Sequence, residues 1–335
     1  MQKQMDSSKS RTEFWKTFGL NEQYWTPSKN ALFEYKTTLS HISSQQRIYA
    51  FSDSSGTHSG SKVETDSFVF IAEDDFVRWR VLCKEMRLRY KLRNRTISYK
   101  SMNDRVRHRA MPEMLAVIRS LPILFVLFHR EKGVRPLYGP GYPKVGDDAL
   151  LAEMKMEWKE AVADKAVTLA HVLCFSYQFV ARPHQQVIWI SDQDSFCMNT
   201  NQIKLLQKIC VGISLGYAHF TLGPLSIGTT RGDTNLQLED GVALPDLAAG
   251  AMNEMINAYA DRGSLDFPKV FTLPSRNISW KARMVARDLF GMYPPSALLS
   301  LLLYKGSVPG ARRSNVLRLP RPARRPLRKI ITPPF

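Results

Sequence analysis

Two apolar segments of this chain run directly into aspartates, and this pattern constrains the fold more than any other feature. Residues Ile48–Phe51 are apolar or aromatic, and Asp53 follows them in the turn-forming sequence Ser-Asp-Ser-Ser-Gly. Residues Val187–Ile190 are followed in the same way by Asp192 and Asp194. Both segments have the composition of buried strands, and ligands of open α/β sheets bind outside the carboxyl ends of the strands. The sequence therefore predicts an α/β fold with carboxylates at one edge of a central sheet.

A further aspartate, Asp246, lies in a late apolar segment and directly follows a proline. Proline is favoured in the first helical turn, so Asp246 is predicted to lie in the first turn of a helix over residues 240–259. Several carboxylates that converge repel one another unless cations lie between them, and Mg²⁺ or Mn²⁺ prefers oxygen ligands. We therefore predict that Asp53, Asp192, Asp194 and Asp246 are catalytic residues that bind Mg²⁺ or Mn²⁺. Each aspartate alone could instead bond its own turn or complement a helix dipole.

These motifs are similar to those of the domain of unknown function 3800 family, over roughly residues 47–260. The similarity rests on the first strand that ends in Asp53 with Ser-Gly shortly after it, and on a second strand at 67–72 that a helix follows. It rests also on Asp-Gln-Asp at 192–194 and on the late segment Pro-Asp-Leu-Ala-Ala-Gly at 245–250.

The resemblance implies a ribonuclease H-like, or retroviral-integrase-like, nuclease fold: a mixed central β-sheet flanked by helices. It implies that Asp53, Asp192 or Asp194, and Asp246 hold the metal, and it suggests a bacterial mobile-element or phage-defence setting. The family often has glutamate directly after its first aspartate, where this chain has Ser54. Family members also tend to carry an acidic residue near the segment that corresponds to residues 96–100, which has none here.

An excess of positive charge indicates a polyanionic partner. Lys and Arg number 47 against 30 Asp and Glu, a formal net charge of +17. Between Arg78 and Arg109, twelve basic residues accompany only Glu85 and Asp104, so ion pairing within the segment cannot neutralise it. We predict that nucleic acid, DNA or RNA, binds there and along the C-terminal segment. The predicted nucleic-acid contacts are Arg78, Arg87, Arg93, Arg95, Lys100, Arg312, Arg313, Arg324 and Arg325.

The composition divides the chain into three predicted parts. Residues 1–46 are expected to form an N-terminal arm whose aromatic side chains pack on the main domain. Residues 47–295 are expected to form the ribonuclease H-like domain, with one of its strands at 217–222. Residues 296–335 are rich in proline and arginine, and we predict a disordered basic tail, with an apolar run at 297–304 that is too short to span a bilayer.

The four cysteines form no C-x-x-C pair, which argues against a disulfide framework or a zinc site. No apolar export or membrane segment is evident either, so we expect a cytoplasmic protein without a membrane partner.

The function that best fits these features is divalent-metal-dependent hydrolysis of phosphodiester bonds in nucleic acid. An alternative is a catalytically inactive nucleic-acid-binding protein of the same fold, and a third is a metal-dependent glycosyltransferase that uses the Asp-Gln-Asp pair. His58, which follows the first acidic turn, is a candidate for proton transfer. Glu85 could replace the acidic residue that is absent from 96–100, or it could simply pair with Arg89 one helical turn later.

Overall fold

A computed structural model describes residues 22–134, 148–192, 195–217, 223–233, 236–260, 278–290, 296–305 and 312–316. These ranges contain a mixed seven-stranded sheet with helices on both faces, which confirms the predicted α/β class. The strands are β1 (Arg47–Ser55), β2 (Val63–Ala72), β3 (Ile123–Glu131), β4 (Gln186–Ser191), β5 (Leu225–Thr229), β6 (Ala297–Lys305) and β7 (Arg312–Val316).

Helices precede, connect and follow these strands. They are α1 (Glu22–Leu32), α2 (Lys36–Ser44), α3 (Glu73–Arg89), α4 (Arg105–Ser120), α5 (Asp148–Glu157), α6 (Glu160–Val180), α7 (Thr200–Tyr217), α8 (Gln237–Ala260) and α9 (Trp280–Phe290). Short 3-10 turns occupy Phe33–Tyr35 and Lys100–Asn103. None of the described helices is both long and apolar enough to cross a bilayer.

The strand order is β5-β4-β1-β2-β3-β6-β7. Strand β1 lies in the interior of the sheet, antiparallel to β2 and parallel to β4. The parallel pairing aligns Ser52 with Ser191, so Asp53 and Asp192, one residue further along each strand, leave the sheet at the same edge. The two strands that the sequence marked by terminal aspartates are therefore neighbours.

Side-chain alternation divides the core into two layers. On one face of the sheet, Phe51, Val69 and Phe125 pack against α3, α4, α8 and α9. On the other face, Phe68 and Trp189 pack against a layer that includes α1, α2, α5, α6 and α7. Asp53 lies two residues after Phe51, so it points to the same face as α8.

Helix α8 approaches β1 closely because Gly241 lies against the ring of Phe51. A Cβ atom at position 241 would be 2.2 Å from Cε1 of that ring. From this contact the helix advances about 7.5 Å to Asp246, while the strand advances about 6.7 Å from Phe51 to Asp53. The two elements run in the same sense, and the two carboxylates therefore meet.

The prediction that Asp246 lies in a first helical turn is wrong. Helix α8 begins at Gln237, and the carboxylate of Asp233 accepts hydrogen bonds from the backbone N–H groups of Leu238 and Glu239 at its start. Pro245 therefore lies inside the helix, where it removes one backbone hydrogen bond. Burial of almost the whole helix in the core outweighs that local cost.

The boundary predicted at residue 295 is also wrong, because the sheet continues beyond it. The apolar run that begins at Ala297 forms β6, which pairs in parallel with β3 and is buried from Ala297 to Leu303 except for Leu298. Arg312 and Arg313, predicted as contacts in a disordered tail, belong to β7, which pairs antiparallel with β6. Arg324 and Arg325 lie outside the described residues.

The described part of the predicted N-terminal arm is helical and contributes to the core. Leu32 of α1 and Ile42 of α2 are buried in the second layer, and Tyr35 packs against it; Trp15 and Phe18, which were expected to pack there too, lie outside the described residues. The strand predicted at 217–222 is not found where the structure can be described: Tyr217 ends α7, residues 218–222 lie outside the described ranges, and the edge strand β5 begins at Leu225.

We predict that Gly241→Ala lowers the free energy of unfolding by about 1 to 3 kcal/mol, because the added methyl group must displace Phe51. Gly212→Ala provides the matched control, since Gly212 is exposed in α7 and a Cβ atom there would meet nothing within 4 Å. That variant should gain roughly 0.5 to 1 kcal/mol from helix propensity. Urea titrations of both variants measure the difference, and equal effects would contradict the proposed close packing.

Candidate functional site

A cavity of about 700 Å³ lies at the sheet edge where β1 and β4 end. The loop after β1, the segment 96–100 and the inner face of α8 line it, together with Lys281 of α9. Asp53, Asp192 and Asp246 all contribute to its wall. The structure thus brings together three of the four aspartates that the sequence singled out, whereas Asp194 lies outside the described residues.

Asp53 and Asp246 are close enough to share a hydrogen bond. Two carboxylates can do so only when one of them carries a proton. Burial raises the pKa of Asp246, and the nearby charge of Asp192 raises it further. The backbone N–H of Tyr99, 2.5 Å from Oδ2 of Asp246, and the ammonium of Lys100 act in the opposite direction. The pair therefore concentrates negative charge that a proton or a cation must compensate.

Glu239 is a further acidic side chain of the cavity, and the sequence analysis did not identify it. Burial raises the pKa of Glu239, and the charge of Asp192 adds to the effect. The hydroxyl of Thr230 donates to Oδ1 of Asp192 at 3.2 Å and also hydrogen-bonds Glu239. The Thr230 hydroxyl therefore links the carboxyl groups of Asp192 and Glu239.

A repeat along α8 could have revealed this acidic residue. Glu239, Asp246 and Asn253 recur every seven residues, which is close to two helical turns and places all three on one face. Nδ2 of Asn253 donates to the backbone oxygen of Val63 at 2.6 Å, which holds the far end of the cavity. The polar face of α8 is therefore the floor of the site.

The segment 96–100 forms one wall of the cavity through Tyr99. The Tyr99 hydroxyl donates to Oε2 of Glu254 at 2.6 Å, and Gly250 gives the ring room, since a Cβ atom there would be 2.3 Å from it. Nζ of Lys281 lies 3.2 Å from the Tyr99 carbonyl oxygen and 4.3 Å from the ring centroid. Where the resembled family tends to carry an acid, this chain places Tyr99 and the exposed Lys100 beside Asp246.

Ser54, which stands where the resembled family often has glutamate, directs its side chain to the opposite face of the sheet. Ser54 follows Asp53, and its hydroxyl donates to Oδ1 of Asp66 at 2.7 Å. Asp66 is buried on the neighbouring strand β2, and burial raises its pKa. The Ser54 side chain therefore bonds away from Asp246.

His58 also lines the cavity, so its position is compatible with proton transfer. Glu85 is exposed on α3 and does not belong to the cavity lining. Arg89, its predicted intrahelical partner, forms an ion pair with Glu113 of α4. Neither alternative that the sequence offered for Glu85 is therefore observed in the structure.

The basic segment is only partly available for nucleic acid. Arg87 is almost buried and forms an ion pair with Asp240, whose pKa burial raises to about 6 even though Arg87 opposes the shift. Arg87 is therefore held within the fold and has little surface left for nucleic acid, which argues against the predicted contact. Arg95 is exposed but forms an ion pair with Asp104. Arg78, Arg93 and Lys100 are exposed, and Lys100 lines the cavity.

The donor set of the cavity fits a hard divalent cation. Asp53, Asp192 and Asp246 supply carboxylate oxygens, which Mg²⁺ and Mn²⁺ prefer, and a cation could replace the proton that Asp53 and Asp246 share. Within the ranges that the structure describes, no three His, Cys, Asp or Glu side chains already stand around one ion position. These carboxylates would therefore have to adjust to bind an ion.

No protein-family model matches this chain, and no curated protein matches it. The resemblance drawn from short motifs thus remains a hypothesis about the family.

We predict that Asp246→Asn raises the free energy of unfolding by roughly 0.5 to 2 kcal/mol, because it removes a buried charge beside Asp53 and Asp192. Asp104→Asn is the opposing control. Hydrogen bonds from the backbone N–H groups of Val106 and Arg107 lower the pKa of Asp104, so its charged form stabilises α4 and the amide should destabilise it. Chemical denaturation at pH 7 tests both signs, and destabilisation by Asp246→Asn would contradict the proposed repulsion.

Proposed function

We propose that this protein hydrolyses phosphodiester bonds in nucleic acid with Mg²⁺ or Mn²⁺ held by Asp53, Asp192 and Asp246. The observation that carries the proposal is that aspartates from β1, from the end of β4 and from α8 meet in one cavity. The mixed sheet with helices on both faces supports a ribonuclease H-like architecture. The resemblance adds the expectation of a bacterial mobile-element or phage-defence setting, and the lack of an evident export segment adds that of a cytoplasmic enzyme.

The charge distribution gives the main physical reason for a metal. The chain is strongly basic, but five acidic side chains line its cavity, Asp53, Asp192, Glu239, Asp246 and Glu254. Two lysines, Lys100 and Lys281, are the basic residues other than His58 in that lining. A phosphodiester would be repelled from such a wall unless divalent cations lay between the two. When bound, such cations activate water and stabilise the leaving oxygen in phosphodiester hydrolysis.

The residues of the chain have separate roles in this proposal. The carboxylates of Asp53 and Asp246 lie within hydrogen-bonding distance of each other in the cavity wall, and the backbone N–H of Tyr99 fixes the orientation of Asp246. Glu239, a partly buried acid of the cavity wall, is the candidate to hold or release a proton there, while the Thr230 hydroxyl donates to Oδ1 of Asp192 and fixes the orientation of that ligand. Lys100 can contact a phosphate at the cavity mouth, since it is exposed and lines the cavity.

A second candidate function is nucleic-acid binding without hydrolysis. The observation that favours it is Lys100, whose ammonium lies near enough to Asp246 to influence its pKa and so supplies positive charge that a second cation would otherwise provide. Measurements of metal binding and of cleavage on the same protein separate the two functions.

We predict cleavage of nucleic acid in Mg²⁺ or Mn²⁺, with the rate reduced about 100-fold or more by Asp53→Asn or Asp192→Asn. Removing a residue that supports a metal ligand typically costs a factor of about 10 to 100, so loss of a ligand should cost at least as much. Glu85→Gln, at an exposed position outside the cavity, should cleave like wild type. Equal residual cleavage by all variants would identify a contaminating nuclease.

A metal-binding measurement complements the assay. Mg²⁺ at about 100 times its Kd should add about 2.7 kcal/mol to the free energy of unfolding of wild type but much less to that of Asp53→Asn. Stabilisation by metal without cleavage of single-stranded, duplex or hybrid substrates would favour the non-hydrolytic function. Absence of both effects would reject the metal site.

A separate prediction concerns residues 317–335, which lie outside the described ranges and carry six arginines and lysines and no acidic residue. Truncation after Val316 retains β7, unlike removal of the whole predicted tail. If the removed segment makes about four phosphate contacts, the slope of log K against log salt on duplex DNA should flatten by about 3 to 4. Affinity titrations over a salt series measure the slope, and an unchanged slope would assign this segment to another partner.

A further inference from the structure

An exposed aromatic pair lies beside the cavity on a basic surface. Trp280 opens α9 and remains 42% exposed, although tryptophan is usually buried. Its ring centroid lies 4.2 Å from that of His108 on α4, with the rings tilted by 49°. His108 is itself exposed. Two neighbouring rings therefore present π-surface to solvent.

The position of Trp280 relative to the cavity is fixed by its neighbours in the chain. Ser279, the preceding residue, donates from its backbone N–H and its hydroxyl to Glu254. Lys281, the following residue, contacts the carbonyl oxygen and ring of Tyr99. Glu254, Tyr99 and Lys281 all line the cavity, so Trp280 is held at its rim.

The surface around the aromatic pair is positively charged. Helices α4 and α9 lie side by side, since His108 contacts Trp280 near their first turns and Arg119 pairs with Asp288 near their last. Arg105 and Arg109 flank His108 on α4, and Arg283 lies one turn after Trp280 on α9; all three are exposed. The acidic residues of these two helices, Glu113 and Asp288, are each paired with an arginine.

We propose that Trp280 and His108 form a stacking platform for unpaired bases, so that the protein binds single-stranded nucleic acid whose backbone leads into the acidic cavity. Exposed aromatic rings among cationic side chains are the combination that binds single strands, because bases stack on the rings while the cations contact phosphates. Bases within a duplex are already stacked on one another and cannot use the rings. This inference rests on the proposed function and narrows its substrate class to single strands or to duplexes with unpaired ends.

The test is the affinity of full-length protein for a fluorescein-labelled oligothymidylate of about 12 nucleotides, measured by anisotropy both in a chelator and in Mg²⁺, with the Mg²⁺ readings taken before cleavage occurs. Loss of one base stack should weaken binding by Trp280→Ala roughly 5- to 150-fold. Trp280→Phe should retain most of the affinity. Since stacking releases no counterions, the salt slope should stay the same in Trp280→Ala, whereas Arg105→Gln and Arg283→Gln should each reduce it by about 0.7.

Phe33 provides a matched control on the other face of the sheet. It is an aromatic ring, 62% exposed, with Nζ of Lys36 lying 3.7 Å from its centroid. Phe33→Ala should bind the oligonucleotide like wild type. Trp280→Ala should also bind the duplex form of the oligonucleotide nearly as well as wild type does.

Three outcomes would overturn the platform: no binding of the single strand by wild type, equal affinity of wild type and Trp280→Ala, or equal losses in Trp280→Ala and Phe33→Ala.

A cleavage assay on the same samples keeps the two proposals separate. Binding that depends on Trp280, without cleavage in Mg²⁺ or Mn²⁺, supports the platform and rejects the nuclease. Cleavage that is unaffected by Trp280→Ala supports the nuclease and rejects the platform.

Discussion

The close approach of α8 to β1 determines the geometry of the candidate site. Because Gly241 has no side chain, the helix lies directly on Phe51. The distance along α8 from Gly241 to Asp246 nearly equals the distance along β1 from Phe51 to Asp53, so the two carboxylates lie side by side. A larger residue at that contact would separate the two carboxylates. The hydrophobic contact in the core thus sets the distance between charges at the sheet edge, and packing and chemistry are linked through one glycine.

The molecule separates its charges by location. Positive charge dominates the exposed surface of α4, of α9 and of residues 78–100. Among the charged residues that line the cavity, by contrast, acids outnumber lysines. Such an arrangement attracts a polyanion over a distance but repels it at close range. A cation at the acidic wall would resolve this conflict, and metal affinity and nucleic-acid affinity would then depend on each other.

The sequence was most informative about positions that depend on local pattern. Apolar segments that end in aspartates located β1 and β4 and, through the parallel arrangement, two of the residues that line one cavity, Asp53 and Asp192. It was less informative where tertiary packing overrides a local signal. Pro245 suggested a helix start, yet burial extends α8 in front of it. Arg87 resembled its exposed neighbours in the sequence, but its partner Asp240 is distant in the chain.

The same limit explains why the sequence did not identify Glu239 as a residue of the site or β6 as a strand of the sheet. The role of Glu239 depends on Thr230 and Asp192, and only the fold brings those residues together. The apolar run of β6 was visible but was too short to distinguish from other hydrophobic segments, and its partner β3 lies far away in sequence.

The pairing of β3 with β6 also has a consequence for biosynthesis. Strand β3 is buried from Ile123 to Phe128, and within the described sheet one of its two hydrogen-bonding edges pairs with β6. A ribosome must therefore synthesise the chain through residue 305 before that edge acquires its partner. Until then the nascent chain presents an apolar, unpaired strand edge, which is the feature that promotes aggregation and chaperone binding. Premature termination before β6 should thus yield an insoluble product even though the chain would already contain every acidic residue of the cavity.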